Sequence, residues 1–316
     1  MNLIEKLTIS AFGEAFQLIA RPGIKDPDQL SRFRQIKDNY LEILGRIQYG
    51  IGRSTGINPS YAWIEWALNI SREFSSGVPL GFLAVKQISE TMVYCRNRGI
   101  AVSHPRILRV VEIFGLEIAE KILREDIIGL PKITDFHFRT SANRAHHASH
   151  LAVYTRLTGS RMWDAEIIVE WGGGYGNMAR IVRKVRSDVT YIIIDLPELL
   201  SLQYIYLYSV EGPESVRTVG EDGRIERGKV NLLDSRRACL GNPKIRCDAF
   251  LSTWALTESP LQVQSAVAGE KFFGAEKMLF AYNRNDGNIM PGLLGEFGLL
   301  EHEDDLLGSD HRYAYR

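Results

Sequence analysis

Cysteine is scarce in this sequence: Cys95, Cys239 and Cys247 are the only three among 316 residues, and none belongs to a CxxC pair. An odd, scattered set excludes a disulfide framework and a structural zinc site built on these residues, and it points to a reducing compartment. Net charge is absent as well, because 38 Lys and Arg balance 38 Asp and Glu. With no global positive potential to displace counterions from phosphates, a nucleic-acid binder is not expected. Long apolar runs are missing too. The N-terminal stretch MNLIEKLTISAFGEAFQLIARPG sets Glu5, Lys6 and Glu14 among its apolar positions, which breaks the pattern of a signal peptide. No later stretch approaches membrane-spanning length. Repeats and low-complexity tracts are also lacking, and a cytoplasmic protein without integral membrane contact is expected.

What is present is ordinary in composition, 45 % hydrophobic and 24 % charged, which suits a soluble globular chain. Its length suggests one large domain and a smaller one. Residues 1–140 show apolar positions at three- and four-residue spacing with breaks at Gly and Pro, the pattern of a mostly helical domain. Asp26-Pro27 opens a helix running toward Gly45 or Gly50. Asn58-Pro59-Ser60 precedes another with Tyr61, Trp63 and Trp66. A further helix is expected from Leu80 to about Gly99, and one more from Ser103-His104-Pro105.

Residues 141–316 change character. Apolar runs at 167–171, 190–195, 229–233, 249–253 and 277–282 alternate with helical segments at 178–185, 198–210 and 260–273. Continuous apolar strands separated by helices signal a parallel sheet covered on both faces, hence a Rossmann-like doubly wound α/β fold. Ser259, Pro260 and Gln262 read as a capping box opening the 260–273 helix, and the terminal HRYAYR as a last edge strand.

In such sheets the first strand-to-helix turn carries glycines and faces the ligand. Here it reads VEWGGGYGNMARIV, residues 169–182. A dinucleotide fingerprint G-x-G-x-x-G begun at Gly172 and Gly174 would need glycine at 177, which is Asn177. The S-adenosylmethionine template E/D-x-G-x-G-x-G is filled at Glu170, Gly172, Gly174 and Gly176, with Gly173 between. A pyrophosphate wants a bare helix N-terminus, whereas a sulfonium with an amino-acid tail gains from an acid. Glu170 would act on that tail. At the end of the second strand Asp195, with Leu196 beside it, would accept the ribose hydroxyls; Asp234 would accept from the adenine amino group. Ser252 and Thr253, in FLSTWALTESP, would floor the pocket. The plainer alternatives are a tight turn, a strand-end cap and a turn aspartate.

The segments VEWGGGYGNMARI, YIIIDLPELLSLQYIYL and DAFLSTWALTES resemble the sugar O-methyltransferases of polysaccharide and glycoconjugate pathways over about residues 140–285. The resemblance implies a class I methyltransferase fold, S-adenosyl-L-methionine as cofactor with S-adenosyl-L-homocysteine as product, and a sugar or glycan hydroxyl as acceptor. Trp171 departs from the small or β-branched residue more usual there. Phenol and natural-product O- or N-methyltransferases share the helical half and the GGG loop, but typically place a base histidine after the fourth strand, where this chain reads STWALTESP. A cofactor-binding scaffold without turnover is a further alternative. The helical half is expected to close over the acceptor or to form a homodimer.

A hydroxyl acceptor must lose a proton during transfer. His137, His146, His147 and His150 gather just before the sheet domain. On a helix His146 and His150 share a face at i,i+4 while His147 points elsewhere. The pair has zinc-ligand spacing, but H-E-x-x-H fails at position 147 and no third ligand is evident, so no metal site is assigned and dependence on a divalent metal stays open. Glu258, after the fourth strand, and Asp286, in YNRNDGN, complete the catalytic candidates. The basic residues Arg180, Arg183, Lys184 and Arg186 read as the solvated face of the helix after the glycine loop, and YIYLYS at 204–209 as core.

Overall fold

Asp26 and Pro27 start the first helix as their spacing predicts: in α1 (Pro27–Ile36) the Asp26 carboxylate accepts from the Gln29 amide at 3.0 Å. The computed structural model describes residues 26–48, 61–93, 99–284 and 289–316. A 3-10 turn joins α1 to α2 (Tyr40–Gln48), so this stretch is two helices rather than one. After α3 (Tyr61–Glu73) the long helix expected from Leu80 is replaced by a 3-10 turn and the single-turn α4 (Lys86–Ser89), because Val85 between them is extended. The next helix, α5 (Gly99–Leu123), begins before Ser103, contains Pro105 and is interrupted at Gly115. A hairpin of β1 (Ile133–Asp135) and β2 (Thr140–Ser141) leads into α6 (Ala142–Thr158), whose first turn is capped by the Ser141 hydroxyl accepting from the Arg144 amide at 3.0 Å.

The remainder alternates strand and helix: β3 (Ile167–Trp171), α7 (Asn177–Val185), β4 (Thr190–Asp195), α8 (Pro197–Glu211), β5 (Val216–Thr218), β6 (Val230–Asp234), α9 (Ser235–Cys239), β7 (Ala249–Thr253), α10 (Leu261–Gly269), β8 (Lys277–Asn283), α11 (Met290–Glu296), β9 (Leu300–His302) and β10 (His311–Tyr315). They form one eight-stranded sheet in the order β5-β6-β4-β3-β7-β8-β10-β9, parallel except for β10, which is antiparallel to both neighbours. The fold is Rossmann-like and doubly wound. The HRYAYR segment is therefore not an edge: β10 is inserted between β8 and β9, which takes the edge. The capping box at Ser259 is not formed either. Its hydroxyl donates to the Ala255 carbonyl, and Gln264 rather than Gln262 reaches back, to the carbonyls of Thr257 and Ser259.

Alternation along the central strands divides the core. Ile168, Tyr191, Ile193, Leu232 and Leu251 face one layer, while Val169, Ile192, Ile194, Leu233 and Phe250 face the other. The first layer is continuous with the helical half, since α1 and α2 pack on α8, and α5 packs on α6.

That seam is also ionic, and it corrects the expectation of a solvated basic stripe on α7. Arg183 is buried, and Arg180 and Lys184 are largely so. Asp126 receives Arg144 at 3.0 Å, Arg180 at 2.8 Å and Lys184 at 3.5 Å, together with the Gln29 amide at 3.0 Å. Glu125 pairs with Arg144 at 2.9 Å, and Glu211 on α8 takes Arg180 at 2.8 Å and Arg183 at 3.0 Å. Burial opposes ionisation of Asp126, but Lys184, Arg180 and Arg144 outweigh it and hold its carboxyl far below the usual range. Removing one member of a buried ionic cluster strands the others, at about 3–5 kcal/mol. Asp126→Asn is therefore expected to lower the unfolding free energy by about that amount in a urea titration at pH 7; a change below about 1 kcal/mol, the scale of an exposed pair, would mean the junction is not a stabilising centre.

Candidate functional site

Strand order reverses between β3 and β7: from β3 the chain proceeds outward through β4 and β6, then returns to the other side through β7 and β8. Loops leaving the carboxyl ends of those two strands diverge and leave a crevice, the usual ligand position in an open α/β sheet. A cavity of about 520 Å³ lies there, within the range of small-molecule sites. Its walls include Gly172, Gly173 and Gly174 after β3, Asp195 and Leu196 after β4, Thr253, Trp254 and Glu258 after β7, His146 and His147 on α6, and Trp63 and residues 90–93 from the helical half.

The glycine loop has a steric basis. Gly172 has φ +79, and a Cβ there would lie 2.0 Å from the Cβ of Ala255, so the loops after β3 and β7 interlock only without a side chain. Gly174 has φ +57 but no clash, since a Cβ there would make only ordinary contact with Met92 at 3.8 Å. From below, Gln203 on α8 donates to the Gly174 carbonyl at 2.9 Å and to Asp195 at 2.7 Å, which fixes loop and carboxylate together.

Not every expected site residue reaches the cavity. Glu170 is buried beneath the loop, where the Tyr191 hydroxyl donates to it at 3.0 Å. Gly176 and Ser252 lie behind the wall; the Ser252 hydroxyl donates to the Trp171 carbonyl at 3.1 Å and accepts from the Leu256 amide at 3.0 Å. Asp234 caps α9 through the Arg236 amide at 2.8 Å and pairs with the Arg236 guanidinium at 2.6 Å, leaving Ser235 on the wall instead. His150 stands behind His146, its Nε2 3.2 Å from that of His146. His137 is exposed on the β1–β2 turn, away from the other histidines. Asp286 lies outside the described residues.

Other wall residues are not among the site residues expected from sequence, although Trp171 stands out there as a departure from the usual residue type. Trp254 takes a left-handed backbone (φ 65), stacks on His146 at 5.4 Å with 21° between rings, and donates its indole N–H to His311 Nδ1 at 3.0 Å. Trp171, Trp63, Glu90 and His311 also line the cavity. Trp254 lay inside a stretch already assigned to the pocket floor, but nothing local marks His311, which arrives from the last strand.

Electrostatically the cavity is acidic. Glu90, Asp195 and Glu258 line it, and no Lys or Arg does among the described residues. Burial pushes Glu170 up to about 8; the Tyr191 bond opposes this and the Asp195 charge adds to it. Burial likewise pushes Asp195 up to about 7, against the bonds it accepts from Leu196, Gln203 and Gly173. Among the described residues no group of three or more His, Cys, Asp or Glu could hold a metal ion, and no helix is long and apolar enough to cross a membrane.

No family model matches the chain, and no curated protein matches it. Among solved structures it is similar to the methyltransferase domain of bacterial CtHen1, at 14 % identity over 54 % of this chain and 96 % of that one, with a TM-score of 0.39. It is also similar to magnesium protoporphyrin IX methyltransferase (ChlM) from Synechocystis PCC 6803 with bound SAM, at 11 % identity, covering 69 % and 98 %, TM-score 0.39. A third is the mitomycin 7-O-methyltransferase MmcR, at 12 % identity and 55 % of each chain, TM-score 0.36. Likenesses this low leave the chemistry to be read from the cavity itself.

Two outcomes follow from the loop and its acids. Gly172→Ala is expected to unfold at much lower urea than Gly174→Ala, whose cost is about 1–2 kcal/mol for a left-handed residue whose Cβ meets no clash; equal midpoints would contradict the interlock with Ala255. Because the folded pKa values of Glu170 and Asp195 lie above their ordinary ones, the stability tied to their neutral forms is complete below about pH 4 and is lost as pH rises through 7 to 8. Glu170→Gln should flatten the decline between pH 5 and 8, at about 1.4 kcal/mol per unit of pKa difference removed. An unchanged pH profile would show that Glu170 is not held neutral.

Proposed function

We propose that this chain is an S-adenosylmethionine-dependent O-methyltransferase, with a sugar hydroxyl as acceptor. The observation that carries the reading is the pairing, in one cavity at the switch point, of the Gly172–Gly174 turn with the carboxylate of Asp195, in surroundings where Glu90 and Glu258 are further acids and, among the described residues, no Lys or Arg lines the wall. A dinucleotide would bring a pyrophosphate to this turn against that acidity. A sulfonium cation with an ammonium group suits the same surroundings.

In this reading Gly172, Gly173 and Gly174 let the backbone lie against the cofactor, Asp195 accepts the ribose hydroxyls with Leu196 beside it, and Thr253 borders the pocket. Glu170 acts through the loop above it rather than by lining the wall. The cofactor supplies an electrophilic methyl group. The protein's part is to align the acceptor oxygen, exclude water and remove the proton, for which His146, His147 and Glu258 stand at the cavity. Trp63 and Trp254 offer flat faces to a pyranose ring, and their neighbours Glu90 and Glu258 can accept from its hydroxyls. Because Trp63 and residues 90–93 complete the wall, the helical half is read as the cover of the acceptor side.

Calorimetry decides the cofactor class: saturable binding of S-adenosylmethionine and S-adenosylhomocysteine but not NAD(P)H is expected, and Asp195→Ala should weaken it by a factor of ~10 or more, the worth of a charge-assisted hydrogen bond. Since ligand favours the ionised forms of Asp195 and Glu170, affinity should rise from pH 6 to 8, with proton release detected as a buffer-dependent enthalpy. Binding of NAD(P)H alone would overturn the reading. Turnover with phenols but not with sugars would keep the enzyme class and replace the acceptor.

A further inference from the structure

Four histidines stand at or just behind the cavity wall, and in three of them the hydrogen-bond partners dictate where the ring proton sits. Arg106 on α5 donates its Nε–H to His146 Nδ1 at 3.2 Å. A guanidinium can only donate, so a neutral His146 carries its single proton on Nε2. That nitrogen is 3.2 Å from His150 Nε2, which must then accept. The proton of His150 is left on Nδ1, 2.6 Å from the Tyr313 hydroxyl on β10. Trp254 sets the third ring in the same way: an indole N–H has no lone pair to offer, so His311 Nδ1 accepts from it at 3.0 Å. His147 differs from the other three. It lines the cavity, and its Nδ1 is buried with no hydrogen-bond partner.

We propose that Arg106 fixes a one-way hydrogen-bond chain through His146 and His150 to Tyr313, making Arg106 and His146 positioning residues of the cavity wall, and that His147 is the residue that takes the acceptor's proton. The second half rests on the methyl-transfer reading; the first does not. The lone pair of His146 is engaged by Arg106, that of His150 by His146, and that of His311 by Trp254, so none of the three can receive a proton without breaking the bond that orients it. His146, held this way, presents its ring face to Trp254. At His147 the balance is simple. The acceptor O–H bond breaks and its proton passes to Nε2 of His147, because the buried Nδ1 is out of the acceptor's reach and carries the ring proton; the oxygen's electron pair bonds the methyl carbon, and the electrons of the methyl–sulfur bond remain on sulfur. The imidazolium afterwards returns its proton to water. Neutrality of the rings agrees with their burial, which lowers the pKa of His146 and His150 well below the ordinary value, with neighbouring histidines and Arg106 adding to the effect. For His147, burial and then Arg144 lower it to about 4.

The chain is tested by long-range 1H–15N correlation spectra of the histidine rings in the whole protein at pH 7.5. The expected result is the Nε2–H tautomer for His146 and the Nδ1–H tautomer for His150. Tyr313→Phe should leave the His146 tautomer in place, because the direction is set at the Arg106 end, whereas Arg106→Met should let both tautomers of His146 appear. Should Arg106→Met fail to fold, the wild-type and Tyr313→Phe spectra still decide. A doubly protonated or Nδ1–H His146, or its reversal in Tyr313→Phe, would overturn the chain. For the base, His147→Gln is expected to lower kcat by about 100-fold or more while S-adenosylmethionine affinity stays within about twofold, less than a typical hydrogen bond is worth. A loss confined to Glu258→Gln, with His147→Gln near wild type, would overturn that assignment and leave the chain standing. If the wild-type protein binds no S-adenosylmethionine, the methyl-transfer reading fails together with the base, and the spectra still judge the chain.

Discussion

The buried carboxylate of Asp126 is the constraint on which the arrangement of the molecule depends. It follows α5 in the chain, yet it receives cations from α6 and from α7, the helix that leaves the glycine loop. Glu211 extends the cluster to α8, which carries the glutamine that holds Asp195. One group of charges thus connects the helical half to both elements that shape the glycine-loop side of the cavity. The cluster contains three carboxylates, of Glu125, Asp126 and Glu211, against Arg144, Arg180, Arg183 and Lys184, one cation in excess. Burial relieves that excess by pushing Lys184 down to about 7, although Asp126 draws it upward. Around neutral pH the cluster therefore approaches electroneutrality, a condition under which so many charges can be held out of water.

A second constraint operates across the switch point. The missing side chain at Gly172 is filled by Ala255, and a Cβ at Gly173 would lie 2.6 Å from Ile193, so two of the three glycines serve the contact of β3 with its neighbours. Gly174 alone leaves room for a side chain, which would make ordinary contact with Met92. The loop is consequently stiff on its protein side and bare on its cavity side. Beneath it burial holds Glu170 largely uncharged at neutral pH. Loop position and acid ionisation are linked through one strand end.

Much of this was legible in the sequence where a single segment carries its own signal. The apolar runs at 167–171, 190–195, 249–253 and 277–282 are strands with bounds within a residue of expectation, and the glycine loop opens at the expected end of β3. Legibility failed where a residue's role depends on a distant partner. Arg180 and Lys184 looked solvated because α7 has no acids of its own; their counter-ion, Asp126, is over fifty positions away. Tyr313 and His311 looked like edge-strand residues because nothing local says that β10 is inserted beside β8 and brought against α6 and Trp254. Ser259 had the spacing of a cap, but the Ala255 carbonyl was nearer to its hydroxyl.

Trp254 shows how the local rules and the site conflict. A bulky residue with positive φ costs about 1–3 kcal/mol and persists only where its surroundings over-determine it. Here they do so on three sides: the backbone amide bonds the Ala281 carbonyl at 2.7 Å, the indole N–H bonds His311, and the ring lies against His146. Each contact belongs to a different element, β8, β10 and α6, and all three meet on the wall of the cavity. A relaxed backbone at position 254 would swing the ring away from His146 and release His311. The strain is therefore concentrated where the last strand, the histidine helix and the loop after β7 must agree on one geometry, and a wall built this way resists rearrangement.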